Sequence, residues 1–143
     1  MTQDRPYSQT LTRLRTAGLR PTRQRLALGR LLFDGGDRHV TAEALHEEAQ
    51  GAGVSVSLAT VYNTLHQFTE AGLLREVVVD SARTYFDTNT SDHHHFFVEN
   101  TGSLMDIEGN RIAITGLPEA PEGTDVAGVD VIVRLHGSGR GGT

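Results

Sequence analysis

The sequence predicts an α+β chain, with an N-terminal winged helix-turn-helix followed by a small α/β domain. Three observations lead there. Apolar residues recur at helical spacing through four capped segments, the spacing then changes to the two-residue period of strands, and the positive charge sits on the helical part. Between Arg5 and Arg38 eight arginines stand against two acids, whereas from Asp80 onwards four arginines meet ten acids. The formal net charge of −5 therefore averages a basic third and an acidic half that suit different partners.

Ser8 is placed to cap a first helix carrying Leu11 and Leu14 and ending near Ala17-Gly18. Pro21 stops any earlier helix, Thr22 caps a second, and Leu28, Leu31 and Leu32 fall at i, i+3 and i+4 before Asp34-Gly35-Gly36. "HVTAEALHEEAQGAG" reads as a third helix, capped by Thr41, with Ala42, Leu45 and Ala49 inward and Gly51 closing it. "SLATVYNTLHQFTEAG" reads as a fourth, capped by Ser57, with Val61, Leu65 and Phe68 on one face and Gly72 after its last turn.

The period then changes. "LLREVVV" and "RTYFD" flank Asp80-Ser81-Ala82 as one hairpin, and "HHHFFVE" and "SLMDI" flank Asn100-Thr101-Gly102 as another. A Pro/Gly-punctuated connection leads to a last strand, "VDVIVRL", and "GSGRGGT" reads as a flexible tail. Helices followed by a hairpin make the fourth helix the DNA reader and 74–87 the wing. Its first turn, "SLATVYN", is short, polar and aromatic, as base-edge readers tend to be. The expected domains are 1–87, 88–136 and a tail at 137–143.

Composition removes whole classes of function. With no cysteine there are no disulfides, thiolate zinc sites, iron–sulfur clusters or cysteine nucleophiles. No apolar run approaches the ~20 residues that span a bilayer, and "MTQDRPYSQT" carries no apolar signal segment. A cytoplasmic protein without a membrane partner is the expectation. The remaining chemistry lies in "TYFDTNTSDHHHFFVEN". Alternation along a strand puts His93 and His95 on one face and Asp92 and His94 on the other. Taken alone, three adjacent histidines fit a metal site, a haem site or a solvated run. His46 and His66 read as helix-surface or packing residues, and His136 opens the Gly-rich tail.

Four segments, in order, resemble the Fur family of metal-responsive repressors over nearly the whole chain: "AGLRPTRQRLAL", "RHVTAEALHEE", "SLATVYNTLHQFTEAGLLREV" and "DHHHFFVENTGSLMDI". Where most members carry a CxxC pair for a structural zinc, this chain has Val98 and Thr101, so no cysteine zinc site is expected. The cysteine-free form, with "FDTN" before "HHHFF", is similar to the iron response regulator branch, Irr, which acts at low iron and is inactivated through haem.

The resemblance implies a homodimer whose second domain serves dimerisation and metal or haem sensing, and which binds double-stranded DNA at an A/T-rich operator. It implies a sensory metal on His39, Asp87, His93, His95 and Asp106, a nitrogen and oxygen set that suits Fe(II) or Mn(II) and accepts Zn(II). It implies a second metal or haem site at Asp92 and His94, although Ala113 and Val129 or Asp130 stand where further ligands would be. On the DNA side it matches Arg20 to a minor-groove probe and Tyr62 to a contact with thymine methyls. Asn63 replaces an arginine common in Fur itself, and Arg23, Arg25, Ser57 and Thr60 fall where phosphates would be met.

The expected function is a sequence-specific regulator of iron or haem homeostasis. The alternative is a PerR-type peroxide-sensing repressor, which uses the same His, Asp, His, His, Asp set; the missing CxxC weighs against it. A metal hydrolase built on His93 and His95 is disfavoured, because five protein ligands leave little room for substrate.

Overall fold

A computed structural model describes residues 7–137, so the tail expected at 137–143 lies outside the described residues except for Gly137. The chain divides into two compact units between Thr90 and Ser91. Among the described residues no helix is long and apolar enough to cross a membrane.

The first unit runs α1 (Ser8–Thr16), α2 (Arg23–Phe33), β1 (His39–Val40), α3 (Ala42–Gly51), α4 (Leu58–Glu70), β2 (Arg75–Asp80) and β3 (Arg83–Asp87). Three helices start where a side-chain oxygen takes up an orphan backbone N–H. Thr22 accepts from Arg25 N, Thr41 from Ala44 N and Ser57 from Thr60 N. Each such cap is worth about 0.5–2 kcal/mol. The fourth expected cap is corrected. Ser8 is the first helical residue of α1, and Tyr7 occupies the cap position with no side-chain bond. Packing sets this start, because Thr10 and Leu14, four residues apart, are the residues α1 buries.

The third helix ends at Gly51 as expected, and the chain reverses two residues on at Gly53, at φ +77°, where Val54 N bonds Ala49 O at 2.8 Å. Ala49 and half-buried Val54 both belong to the core side, and their contact decides the stop. Gly72 ends α4 as expected, at φ +83°, with Leu73 N bonded to Phe68 O at 2.9 Å. The core joins all four helices and the sheet through Leu14, Leu28, Leu45, Leu65, Phe68 and Phe86. The sheet order is β1-β3-β2, all antiparallel, and β2–β3 is the wing hairpin.

The second unit contains β4 (His93–Val98), β5 (Ser103–Glu108), a single 3-10 turn (Gly109–Arg111) and β6 (Ile132–Leu135). The sheet order is β5-β4-β6; β4 and β5 form the expected hairpin, while β6 lies parallel to β4. A parallel neighbour needs a crossover connection. Here that connection is irregular chain carrying Gly116, Pro118, Pro121 and Gly123, and no α-helix forms among the described residues of this unit.

Candidate metal centre and nucleic-acid interface

In the second unit, strand parity sets the first cluster. His93 and His95 share one face of β4, with ring centroids 4.5 Å apart, and β5 places Asp106 opposite His95. Asp106 Oδ1 lies 3.3 Å from His93 Nε2 and 3.4 Å from His95 Nε2. Both histidines are buried. The His93 Nδ1–H donates to the Ser91 carbonyl at 2.6 Å, which leaves Nε2 as the nitrogen with the lone pair.

These separations exceed the ~2.7–2.9 Å of a charge-assisted N–H···O hydrogen bond. They fit a shared ion better. A divalent ion at ~2.1 Å from nitrogen and oxygen donors 3.3–3.4 Å apart subtends an angle of about 100–110° between them. Two imidazoles and a carboxylate with ligand atoms within 4.8 Å of one another therefore suit a borderline or hard divalent metal.

The first unit holds a second cluster. Register pairs His39 with Asp87 across β1 and β3, with His39 Nε2 3.2 Å from Asp87 Oδ2. The other Asp87 oxygen accepts from Asn89 N at 2.8 Å, and the carboxylate is almost fully buried. Arg38, which sequence reasoning missed, locks this segment. Its guanidinium grips both oxygens of Glu48 at 2.9 and 2.5 Å and donates to the Leu31 carbonyl at 3.1 Å. Its backbone exchanges bonds with Thr88, N to Thr88 Oγ1 at 2.9 Å and O from Thr88 N at 3.0 Å. The Glu48 carboxylate raises the Arg38 pKa further, so the charge persists. Nothing in the sequence advertises this clamp, because its partners come from three separate segments.

Asp92 and His94 do not assemble a comparable cluster. Asp92 is exposed and precedes β4, and the groups of three or more candidate ligands found among the described residues include neither of them. His94 Nδ1 accepts the Val131 N–H at 3.1 Å. A neutral ring in that state carries its hydrogen on Nε2 and has no second lone pair for a metal or haem iron. The ring acts as a pin between β4 and the start of β6. Ala113 and Val129 offer no ligand atom, and Asp130 is exposed.

The outward face of α4 presents Leu58, Ala59, Tyr62, Asn63 and His66. Leu58 was not singled out from sequence, yet it is as exposed as Tyr62 and one turn away. Tyr62 donates its hydroxyl to Glu43 Oε2 at 2.7 Å, which raises the phenol pKa, and its ring stacks on His66 at 6.5 Å. His66 in turn meets Phe86 edge-on at 5.6 Å, so it packs, as does His46, whose Nε2 donates to the Val56 carbonyl at 3.1 Å. His136 lies 3.4 Å from Glu99.

Arg20, just before α2, and Arg23, its first residue, are both exposed. Ser57 and Thr60 bond each other, hydroxyl to hydroxyl at 2.9 Å, as part of the helix cap. Arg25 is turned inward: Nε and Nη2 reach Gln67 Oε1 at 3.2 and 3.0 Å, and Nη1 reaches the Arg20 carbonyl at 2.8 Å. It is a strut between α2 and α4. At the wing tip, Asp80 accepts from Ala82 N at 2.9 Å and from Arg83 Nη2 at 2.7 Å, and the Arg83 guanidinium holds its carboxyl below the usual range.

Residues 16–130 match the model of the ferric uptake regulator family. The peroxide operon regulator of Bacillus subtilis is 38% identical over 98 residues, covering 68% of this chain and 67% of that protein. The peroxide-responsive repressor PerR of Staphylococcus epidermidis is 32% identical over 103 residues, 72% of this chain and 68% of that one. The ferric uptake regulator of Pseudomonas aeruginosa, solved with manganese, superposes with a TM-score of 0.65 at 25% identity, covering 87% of this chain and 95% of its own. The Vibrio cholerae ferric uptake regulator superposes at 0.68 with 20% identity, over 89% and 98% of the two chains, a likeness of fold.

Proposed function

Because the chain belongs to the ferric uptake regulator family and is a metal-responsive transcriptional regulator, we propose that it is a DNA-binding homodimer that reports cellular iron. His39, Asp87, His93, His95 and Asp106 would hold one divalent ion, Fe(II) or Mn(II). When bound, the ion supplies the positive charge that lets two carboxylates and three imidazoles serve a single centre. The observation that carries the reading is the pair of histidine nitrogens turned on one oxygen of Asp106, 3.3 and 3.4 Å away.

The remaining work falls to the chain's own residues. Ser91 orients the His93 ring, Asn89 fixes Asp87, and the backbone bonds between Arg38 and Thr88 keep β1 against β3, with the Arg38 side chain anchored on Glu48 of α3, so that His39 faces Asp87. Arg20, Arg23 and the outward face of α4 would meet an A/T-rich operator, with Arg20 in the minor groove and Tyr62 and Asn63 at base edges. Haem at His94 is not part of this reading, since the Val131 N–H already engages the ring.

The test is fluorescence anisotropy on the duplex that the Mn(II)-loaded protein selects from a randomised pool. Chelation should weaken binding by about 5–150-fold, the usual range of coupling between an effector and a second site. An affinity unchanged by chelation overturns the proposal.

A second reading, peroxide sensing, is favoured by the likeness to two peroxide regulators. It predicts that peroxide added to the Fe(II)-loaded protein attaches one oxygen atom to His39 or His93. Intact mass spectrometry with peptide mapping reads that directly, and unmodified histidines at full loss of DNA binding count against it.

A further inference from the structure

We propose that Glu43 is a specificity-determining positioning residue, acting through Tyr62 on the bases that α4 reads. The inference rests on the DNA-binding reading above and extends it to a residue on a different helix.

Tyr62 projects from the exposed face of α4, where a phenol ring is free to rotate about two side-chain torsions unless something stops it. Two contacts do. Its hydroxyl donates to Glu43 Oε2 at 2.7 Å, the length of an O–H···O⁻ bond. Its ring stacks on His66, which is itself set edge-on against Phe86 of the core. The aromatic is thus tethered at its polar tip and backed by a ring that leads into the buried interior. Glu43 is well placed for the task. It sits in the first turn of α3, two residues after the Thr41 cap, where the helix N-terminus favours a carboxylate.

Two consequences follow. With its hydroxyl proton engaged by Glu43, Tyr62 has no donor left for a base and presents ring carbon, so it discriminates by apolar contact with a thymine methyl and not by donating a hydrogen bond. A carboxylate on a DNA-facing surface also repels every phosphate backbone alike. Glu43 therefore lowers affinity for all sequences and raises the preference for the right one.

The experiment uses the Mn(II)-loaded full chain and two probes: the duplex selected from the randomised pool, and the same duplex with deoxyuridine for thymidine, which removes only the methyls. Glu43→Ala should cut the thymine-to-uracil affinity ratio by about threefold or more, the scale of one exposed hydrogen bond. Glu43→Gln should keep the ratio, because the amide oxygen still accepts the phenol hydrogen. Both should bind random-sequence duplex more tightly than wild type. Tyr62→Ala should abolish the ratio, and adding Glu43→Ala to it should change nothing more. Glu43→Gln loses the same helix-end charge as Glu43→Ala, so it separates positioning from stability.

A full ratio in Glu43→Ala beside a lost ratio in Tyr62→Ala overturns the role of Glu43 and leaves the DNA reading standing. Wild-type binding and ratio in Tyr62→Ala overturn the assignment of Tyr62 itself, and the role of Glu43 with it.

Discussion

Replacing Arg25 by alanine separates a DNA contact from a strut. The sequence puts Arg25 among the phosphate-facing arginines, but its guanidinium joins Gln67 on α4 to the Arg20 carbonyl through three hydrogen bonds of 2.8–3.2 Å. Two of them share one oxygen and count roughly once, and both side chains are half-buried. Charged hydrogen bonds are worth about 1.5–3 kcal/mol when well buried, so partial exposure brings the total for Arg25→Ala to about 1–2 kcal/mol. In a domain of this size that lowers the melting temperature by about 5–10 °C. DNA affinity should fall while the slope of log K against log salt stays near the wild-type value. Gln67→Ala, which removes no charge, should reproduce most of both effects. Arg20→Ala is the contrast: one cation lost from the DNA groove flattens the slope by up to about 0.9. Circular dichroism melts and anisotropy titrations across a salt series read both quantities. A slope flattened by about one unit in Arg25→Ala, with an unchanged melt and a silent Gln67→Ala, refutes the strut.

Gly29→Ala should destabilise the first unit by about 1–3 kcal/mol, seen as a lower denaturation midpoint, because a Cβ there would lie 2.7 Å from Thr10 Cγ2 where α1 crosses α2. Asp106→Ala should abolish the rise in melting temperature that Mn(II) produces, a stabilisation of about 2.7 kcal/mol at a hundredfold excess over Kd. His94→Ala should keep that rise but lower the melt without metal, since Val131 N–H loses its acceptor. Ultraviolet titration of the phenols should place Tyr62 above 10.0, and Glu43→Ala should bring it down. The folded-state pKa is the raised one, so the stabilisation is complete below pH 10.0 and disappears as pH rises through the Tyr62 value.

What could be read from sequence was what local chemistry decides. Thr22, Thr41 and Ser57 each cap through an N–H three residues on, so the motif carries its own evidence. Ser8 misleads because the start of α1 is chosen by the packing of Thr10 and Leu14, and Thr10 answers to Gly29 on the next helix. The wing announced itself by alternation, with Val77 and Val79 buried and Val78 outside. The strand β1 did not, since two residues have no period, yet it is what brings His39 to Asp87. That pairing came from family resemblance and not from spacing. Arg38 and Arg25 were legible only as charge, because Glu48, Leu31 and Gln67 are fixed by tertiary packing.

The histidine run shows how far parity reaches and where it stops. Alternation along β4 alone puts His93 and His95 together and turns His94 away, and β5 then supplies Asp106 to the odd pair. What the even side does depends on a strand far along the chain. The pairing of β6 with β4 delivers the Val131 N–H to His94 Nδ1 and makes that ring a structural acceptor. The same three letters therefore encode two candidate ligands and one pin. If the lead into β6 were displaced by a residue, the acceptor nitrogen of His94 would lose its donor, and a pin would become a candidate ligand. The chemistry of the middle histidine is thus set by the crossover that positions β6, not by its neighbours in sequence.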